Sequence, residues 1–295
     1  MEKRRSPGRS FRLAVDLEKP LQVIGVPNAY SAIMAERTGF LALYLSGAGV
    51  ANGGFGLPDL GMTSLADVLE EVRRITGATS LPLLVDCDTG FGGDLMTGRT
   101  TREMIRAGAA GLHLEDQIPE KRCGHRPGKK IVAVGEMVDR IKAAVDARSD
   151  PDFVIMARTD AFAVEGLEAA VERAGRYRDA GADMIFPEAL AELGQYKRFA
   201  GALGVPILAN QTEFGVTPLF GLPEMAAAGV SLVLYPLSAF RAMNAAALRL
   251  FRAVRREGTQ QGMLDFMQTR SELYDFLGYL EYERRLDKKT REDKS

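Results

Sequence analysis

Short runs of apolar and β-branched residues alternate along this chain with longer stretches of helical periodicity. LQVIGV (21–26), LALYLSG (41–47), LPLLVD (81–86), GLHLED (111–116), DFVIMART (152–159), DMIFPEA (183–189), VPILAN (205–210) and SLVLYPL (231–237) read as eight strands. Between them SLADVLEEVRRIT (64–76), VGEMVDRIKAAVDA (134–147) and LEAAVERAGRYRDAG (167–181) read as helices. The hinges AGAAG (107–111), AGAD (180–183) and AAGV (227–230) stop helices just before strands. Strand, helix, strand in succession favours parallel strands with right-handed crossovers, and eight such units close into a (β/α)8 TIM-like barrel of the α/β class. An open doubly wound sheet is the alternative, but no GxGxxG follows the first strand.

The pattern continues past the eighth strand. SAFRAMNAAALRLFRAVRREG (238–258) is a long amphipathic helix, and 262–286 carries Phe266, Met267, Leu273, Tyr274, Phe276 and Leu277. A barrel needs one helix there, so the extra apolar face requires either a subunit partner or its own barrel. The domain reading is a single barrel over 1–295, with a helical extension at about 238–286 and a charged, solvated, frayed tail at 287–295.

Composition narrows the function. The 295 residues are 46% hydrophobic and 26% charged, enough for a large core. A net charge of −1 argues against a nucleic-acid surface. Two cysteines do not make a disulfide framework and fit a reduced, cytoplasmic setting. MEKRRSPGRSF has no apolar stretch after it, so no signal peptide is expected. Residues 38–58 lack charge but are interrupted by Ser, Asn, Pro and Gly, so no membrane span is expected either.

The strands end in polar groups: Ser46-Gly47, Asp86 with Asp88, Glu115-Asp116, Arg158, Glu188 and Asn210. In a parallel barrel these ends share one mouth, where such barrels carry their chemistry. Asp86 and Asp88 flank Cys87, so in extended chain both carboxylates point one way and Cys87 points away, into packing. Two close carboxylates raise each other's pKa unless a cation lies between them, and all-oxygen donors suit Mg2+, with Glu115 joining through a water. A helix-capping turn is the other reading of DTGFGG. The glycine clusters Gly53, Gly54, Gly56 and Gly90, Gly92, Gly93 match no phosphate loop and read as tight turns. His113 reads as a hydrogen-bonded barrel histidine.

KRCGHRPGKK (121–130) sets Cys123 among Lys121, Arg122 and His125. Nearby cations lower a thiol pKa toward neutrality, and such a thiol serves as nucleophile or proton donor. Gly124, Pro127 and Gly128 make the segment a natural lid over the mouth. A solvated basic loop with an incidental cysteine is the competing reading.

KRCGH, VDCDTGFG, GLHLEDQ, YLSGAGVANGGFGLPDLG (44–61), DPDFVIMARTDA (150–161), FPEA (186–189), PILANQTEFG (206–215), YPLSAFRAMN (235–244) and MQTR (267–270) together resemble the isocitrate lyase/phosphoenolpyruvate mutase superfamily, from about Ser6 to Leu286. The resemblance implies a (β/α)8 barrel, a homotetramer with terminal helices swapped between subunits, and Mg2+-dependent cleavage (Mn2+ as the alternative ion) of a C–C bond beside a carboxylate. It is strongest to the branch acting on a methylated tricarboxylate in propionate breakdown, where methylisocitrate gives pyruvate and succinate. On that footing Asp86 and Asp88 hold the metal, with Glu115 bound through water. Ser46, Gly47 and Ala48 donate to the hydroxy-acid end, and Tyr44 is a candidate for its hydroxyl proton. Cys123 protonates the succinate carbanion. Lys121, Arg122, Gly124, His125, Arg158, Glu188, Asn210, Gln211, Thr212, Arg241 and Arg270 bind or orient carboxylates. Asp59 closes with the lid, and Phe186 and Leu234 line the methyl space. Ala48, Cys87 and Gln211 depart from the usual pattern. A broad C4 dicarboxylate or isocitrate lyase is the nearest alternative, and a non-catalytic acid-binding barrel or scaffold the one from another class.

Overall fold

The computed structural model describes residues 5–292, in two compact units, one ending at Phe240 and one beginning at Arg241. The first unit opens with α1 (Pro7–Leu17), started by Ser6 as N-cap and by proline in its first turn. The chain then runs β1 (Leu21–Gly25), α2 (Ala29–Arg37), β2 (Ala42–Leu45), a short α3 (Gly47–Gly49) continued by a π turn over Val50–Gly54, α4 (Leu65–Ala78) and β3 (Leu83–Asp86). It continues with α5 (Asp94–Arg106), β4 (Gly111–Glu115), α6 (Val134–Asp146), β5 (Val154–Thr159), a one-turn α7 (Phe162–Glu165) and α8 (Leu167–Asp179). β6 (Met184–Pro187), α9 (Leu193–Leu203), β7 (Leu208–Asn210), α10 (Leu222–Ala227) and β8 (Leu232–Tyr235) complete the strand set. Every strand lies inside the range read from its apolar run.

All strand pairs are parallel, in the order β6-β5-β4-β3-β2-β1-β8-β7. One parallel bridge, Ile185 to Ile207, joins the two ends and closes the barrel. The strand alternation divides the core in two. Val23, Tyr44, Leu84, Met156, Phe186, Leu208 and Leu234 fill the barrel interior, with Phe11 of α1 in the same cluster. Leu43, Val85, Cys87, Leu114, Ile155 and Ile185 face the helices. Register then sets the mouth: Asp86 pairs with His113, and Glu115 with Arg158.

The second unit holds most of α11 (Ser238–Glu257), a 3-10 turn over Gln261–Phe266, α12 (Arg270–Leu277) and α13 (Tyr279–Glu292). The segment 262–286 is therefore broken into pieces. Thr269 and Glu272 form a capping box that starts α12, and Gly278 at φ 64° ends it in the left-handed conformation. α13 extends as helix through the charged residues to Glu292, with 281–289 exposed, and 293–295 lie outside the described residues. The Gly53-Gly54 cluster is likewise helical rather than a tight turn, whereas Gly90 (φ 97°) and Gly92 (φ 150°) do turn the chain. Among the described residues no helix is long and apolar enough to cross a membrane.

Candidate active site

The mouth is built on strand ends, so backbone geometry fixes it. Asp86 accepts from the Gly47 N–H (3.0 Å) on one oxygen and from the Asp88 N–H (3.1 Å) on the other. A Cβ at Gly47 would lie 3.2 Å from Asp86 Oδ2 and 3.3 Å from Asp88 Oδ1, so both carboxylates face one glycine. Asp88 sits at φ 47°, a left-handed conformation that re-aims its side chain toward its partner. The Gly47 amide donates to Asp86, and the Ser46 side chain accepts from the Gly49 N–H. Ala48 lies between them on α3, half-buried.

The two aspartates do not titrate alike. Burial would raise Asp86, but His113, Lys121 and Arg158 bring it down to about 2. Burial and the charge of Asp86 push Asp88 up to about 6, against the pull of Lys121. Mutual repulsion therefore raises only one of them. Glu115 is fully buried, raised by that burial, and neither oxygen has a hydrogen-bond partner; its nearest cation is Arg158 Nε at 3.3 Å. Among the described residues no three His, Cys, Asp or Glu side chains converge closely enough to hold a metal unaided. Two carboxylates plus an orphaned buried third suit a hard divalent cation that keeps part of its water.

Tyr44 and His113 form the floor. The Tyr44 hydroxyl is 2.9 Å from His113 Nε2, and that ring edge is 3.5 Å from Asp86 Oδ1. Burial, aided by Asp86, holds the Tyr44 phenol well above its ordinary value, so it is no free base. Burial lowers His113 to about 4, which leaves it neutral at physiological pH. Cys87 is fully buried on the outer face, as its alternation with Asp86 required.

The lid lies down on this mouth. Lys121 is buried, not solvated, and bridges Asp59 (2.6 Å) and Asp88 (2.5 Å). Its burial opposes the charge, but Asp88, Glu115, Asp86 and Asp59 hold the ammonium well above its ordinary pKa. Gly124 packs so tightly that a Cβ would fall 2.4 Å from Glu188 Cγ and 2.6 Å from Arg158 Nη2. His125 accepts the Val216 N–H on Nδ1 (3.1 Å), so Nε2 carries the hydrogen and donates to Glu188 (3.0 Å). Gln117 holds both backbone groups of Arg122.

The cationic setting expected around Cys123 from its sequence neighbours Lys121 and Arg122 does not form, and the cation that acts on the thiol is Arg158. Lys121 turns to the aspartates, and Arg122 reaches its own loop at the Pro127 carbonyl (3.1 Å). Cys123 is exposed as a residue, yet desolvation of the thiol is the largest effect and raises its pKa, with the charges of Asp59 and Glu188 adding to it and a backbone hydrogen bond at His125 and the charge of Arg158 opposing it. The lid therefore carries a thiol that stays protonated: a donor rather than a ready nucleophile.

Arg158 is the hub, with Asp160 at 3.0 Å, Glu115 at 3.3 Å and Glu188 at 3.3 Å. Burial opposes its charge, and Asp160, Glu115 and Glu188 more than restore it. Glu188, opposed by burial, is held far below its ordinary pKa by Arg158 and His125. Asn210 donates to Glu188 (3.3 Å) and leaves its own buried Oδ1 without a partner. Gln211 accepts from Phe220, and Thr212 is buried beside it. Phe186 and Leu234 are in the interior layer, with Phe186 edge-on to His113 and 5.2 Å from the Arg158 guanidinium. Arg241 and Arg270 belong to the second unit, at the starts of α11 and α12. Sequence reasoning placed Asp116 at the mouth without a role and singled out none of Lys129, Asp160 and Gln117. Only Asp160 left a signal: it stands two residues after Arg158, on the same side of the extended chain.

A family model described as phosphoenolpyruvate phosphomutase matches residues 13–255. A protein of Escherichia coli (strain K12) named 2-methylisocitrate lyase is 60% identical over 283 residues, covering 96% of each chain. Of solved structures, 2,3-dimethylmalate lyase, a PEP mutase/isocitrate lyase superfamily member, superposes with a TM-score of 0.89 at 34% identity over 98% of this chain and 96% of its own. Phosphonopyruvate hydrolase in complex with oxalate and Mg++ superposes with a TM-score of 0.83 at 27% identity, over 95% and 98%.

Proposed function

The chain belongs to the phosphoenolpyruvate phosphomutase family, and from that premise we propose that it splits 2-methylisocitrate into pyruvate and succinate. It is a carbon–carbon lyase. The carrying observation is the 60% identity to a 2-methylisocitrate lyase over nearly all of both chains, together with the acidic pair and lid thiol that a lyase of this kind needs. The 2,3-dimethylmalate lyase fold is shared at only 34% identity, so the broad C4 dicarboxylate reading is not favoured.

A divalent cation, which we assign as Mg2+, would be held by Asp86 and Asp88 with Glu115 reached through water. It would polarise the oxygen that becomes the pyruvate carbonyl. The chain's own groups supply the rest. As the substrate hydroxyl loses its proton, its C–O bond becomes C=O and the adjacent C–C bond breaks. The bonding pair moves to the carbon beside the succinate carboxylate, and the Cys123 S–H delivers a proton there. Tyr44, kept protonated by burial, accepts the hydroxyl proton only by passing its own to His113 Nε2, 2.9 Å away. Arg158, His125, Asn210 and Thr212 receive the carboxylates, and Glu188 orients Arg158 and His125. Ser46, Ala48, Lys121, Arg122, Gly124, Gln211, Arg241 and Arg270 complete the substrate-binding set in this reading. Phe186 and Leu234 bound the methyl group, and Asp59 follows the lid through Lys121.

The exposed apolar side chains of the second unit, Leu248, Phe251, Leu280 and Leu286 among them, support a homotetramer with swapped terminal helices. Propionate breakdown in the cytoplasm is the setting that follows.

The test is pyruvate release from 2-methylisocitrate and from isocitrate, each with Mg2+, Mn2+ or EDTA. Cation-dependent release that is faster from the methylated substrate is expected; equal rates on both, or release in EDTA, would refute the reading.

A further inference from the structure

Four buried carboxylates crowd the back of the mouth: Glu115, Asp116, Asp160 and Glu188. Arg158 serves three of them. Arg173 stands 4.0 Å from Asp116, and a further cation among them is Lys129, from the far end of the lid, with 2% of its side chain exposed. Its ammonium donates to the Gly124 carbonyl (2.7 Å) and to Asp160 Oδ1 (2.7 Å). Asp160 in turn receives Arg158 Nε on Oδ2 (3.0 Å) and Nη2 on Oδ1 (3.3 Å).

Asp160 has little freedom to move. Its N–H donates to Asp116 Oδ1 (2.8 Å), while Asp116 Oδ2 accepts from Thr159 (2.7 Å) and Tyr177 (2.9 Å). Arg173 anchors that tyrosine at 3.2 Å and the Val132 carbonyl at 3.0 Å. One end of the chain of bonds is thus fixed in the barrel wall. The other end is the lid carbonyl next to Cys123.

We propose that Lys129 is a positioning residue that latches the closed lid and aligns Arg158 through one shared carboxylate. Lid closure places the Gly124 carbonyl on the ammonium, and the ammonium completes the cation pair that sets Asp160 for Arg158. The thiol is delivered when the guanidinium is aligned. Lys121 is a separate tie, holding the other end of the lid to Asp59 and Asp88.

The test uses the full-length protein with Mg2+, comparing Lys129→Met with the unaltered chain. Two readouts are taken: tryptic cleavage after Lys121 and Arg122 in the presence of succinate, and steady-state kinetics. Losing one hydrogen bond to a charged group should speed nicking about ten- to hundred-fold and lower kcat by a similar factor, with KM changed less than about threefold. A role confined to holding the fold would lower the melting temperature and leave nicking and kcat per folded molecule within twofold. That outcome overturns the latch. If Lys129→Met does not fold, Lys129→Met/Asp160→Asn removes both charges and is read by nicking alone, since Asp160 also holds Arg158. The kinetic arm rests on the proposed reaction and the nicking arm does not. An unaltered protein with no turnover would refute the reaction while nicking still decides the latch.

Discussion

The mouth of the barrel and the C-terminal unit violate opposite rules of burial. At the mouth Asp86, Asp88, Glu115, Lys121, Arg158 and Glu188 are ionisable and buried. In the unit beginning at Arg241, Leu248, Phe251, Phe266, Leu280, Tyr282 and Leu286 are apolar and exposed. Each anomaly is informative through what it leaves unmet. Neither buried oxygen of Glu115 has a hydrogen-bond partner, which points to a small charged ligand. Apolar helix faces left in water are what the proposed subunit contact would cover. In the proposed reading, charge out of place serves the chemistry and apolar surface out of place serves assembly.

The comparison breaks most visibly at the acidic pair. Asp86→Asn, or removal of divalent cations with EDTA, should lower kcat/KM about a thousandfold or more, since several kcal/mol of transition-state stabilisation go with the ion. Only the EDTA-treated protein should recover when Mg2+ is restored. Phe251→Asp addresses the other side: sedimentation should show self-association weakened about thirtyfold, with the far-UV circular dichroism unchanged. Unchanged assembly would mean that this exposed face is not a subunit contact.

The eight strands were legible because each apolar run is bounded by turns, and the alternation of Asp86 and Cys87 assigned their faces correctly, whereas Asp88 reaches the site through a left-handed turn beyond the strand rather than through extended alternation. The lid chemistry was not legible in the same way. Lys121, Arg122 and Cys123 adjoin in sequence, but the first turns to Asp88 and the second to its own loop, so proximity along the chain gave the wrong sign for the thiol. Lys129 was invisible because a lysine in a basic decapeptide looks solvated until a buried carboxylate such as Asp160 is placed opposite it. In the C-terminal unit, apolar content gave the helices, but Gly278 broke one into two.

Finer effects sharpen the picture. Leu234→Phe fills interior space beside the proposed methyl site and should lower the ratio of kcat/KM for methylisocitrate over isocitrate about tenfold. The smallest effect concerns the thiol. Because its pKa is raised, the proton it donates is retained as pH rises and lost only above its ordinary value of roughly 8.5. Cys123 alkylation at pH 8 should therefore run a few fold slower than that of a free thiol, and activity should hold up to at least that pH. Alkylation faster than a free thiol would restore the thiolate reading that the structure displaced.

The most direct test of the central claim is Cys123→Ser, followed by product formation in a single turnover with bound 2-methylisocitrate and Mg2+. Succinate and pyruvate formation should slow about 10²- to 10⁴-fold while the dissociation constant for substrate stays within a few fold. Cleavage at the unaltered rate in that variant would contradict it.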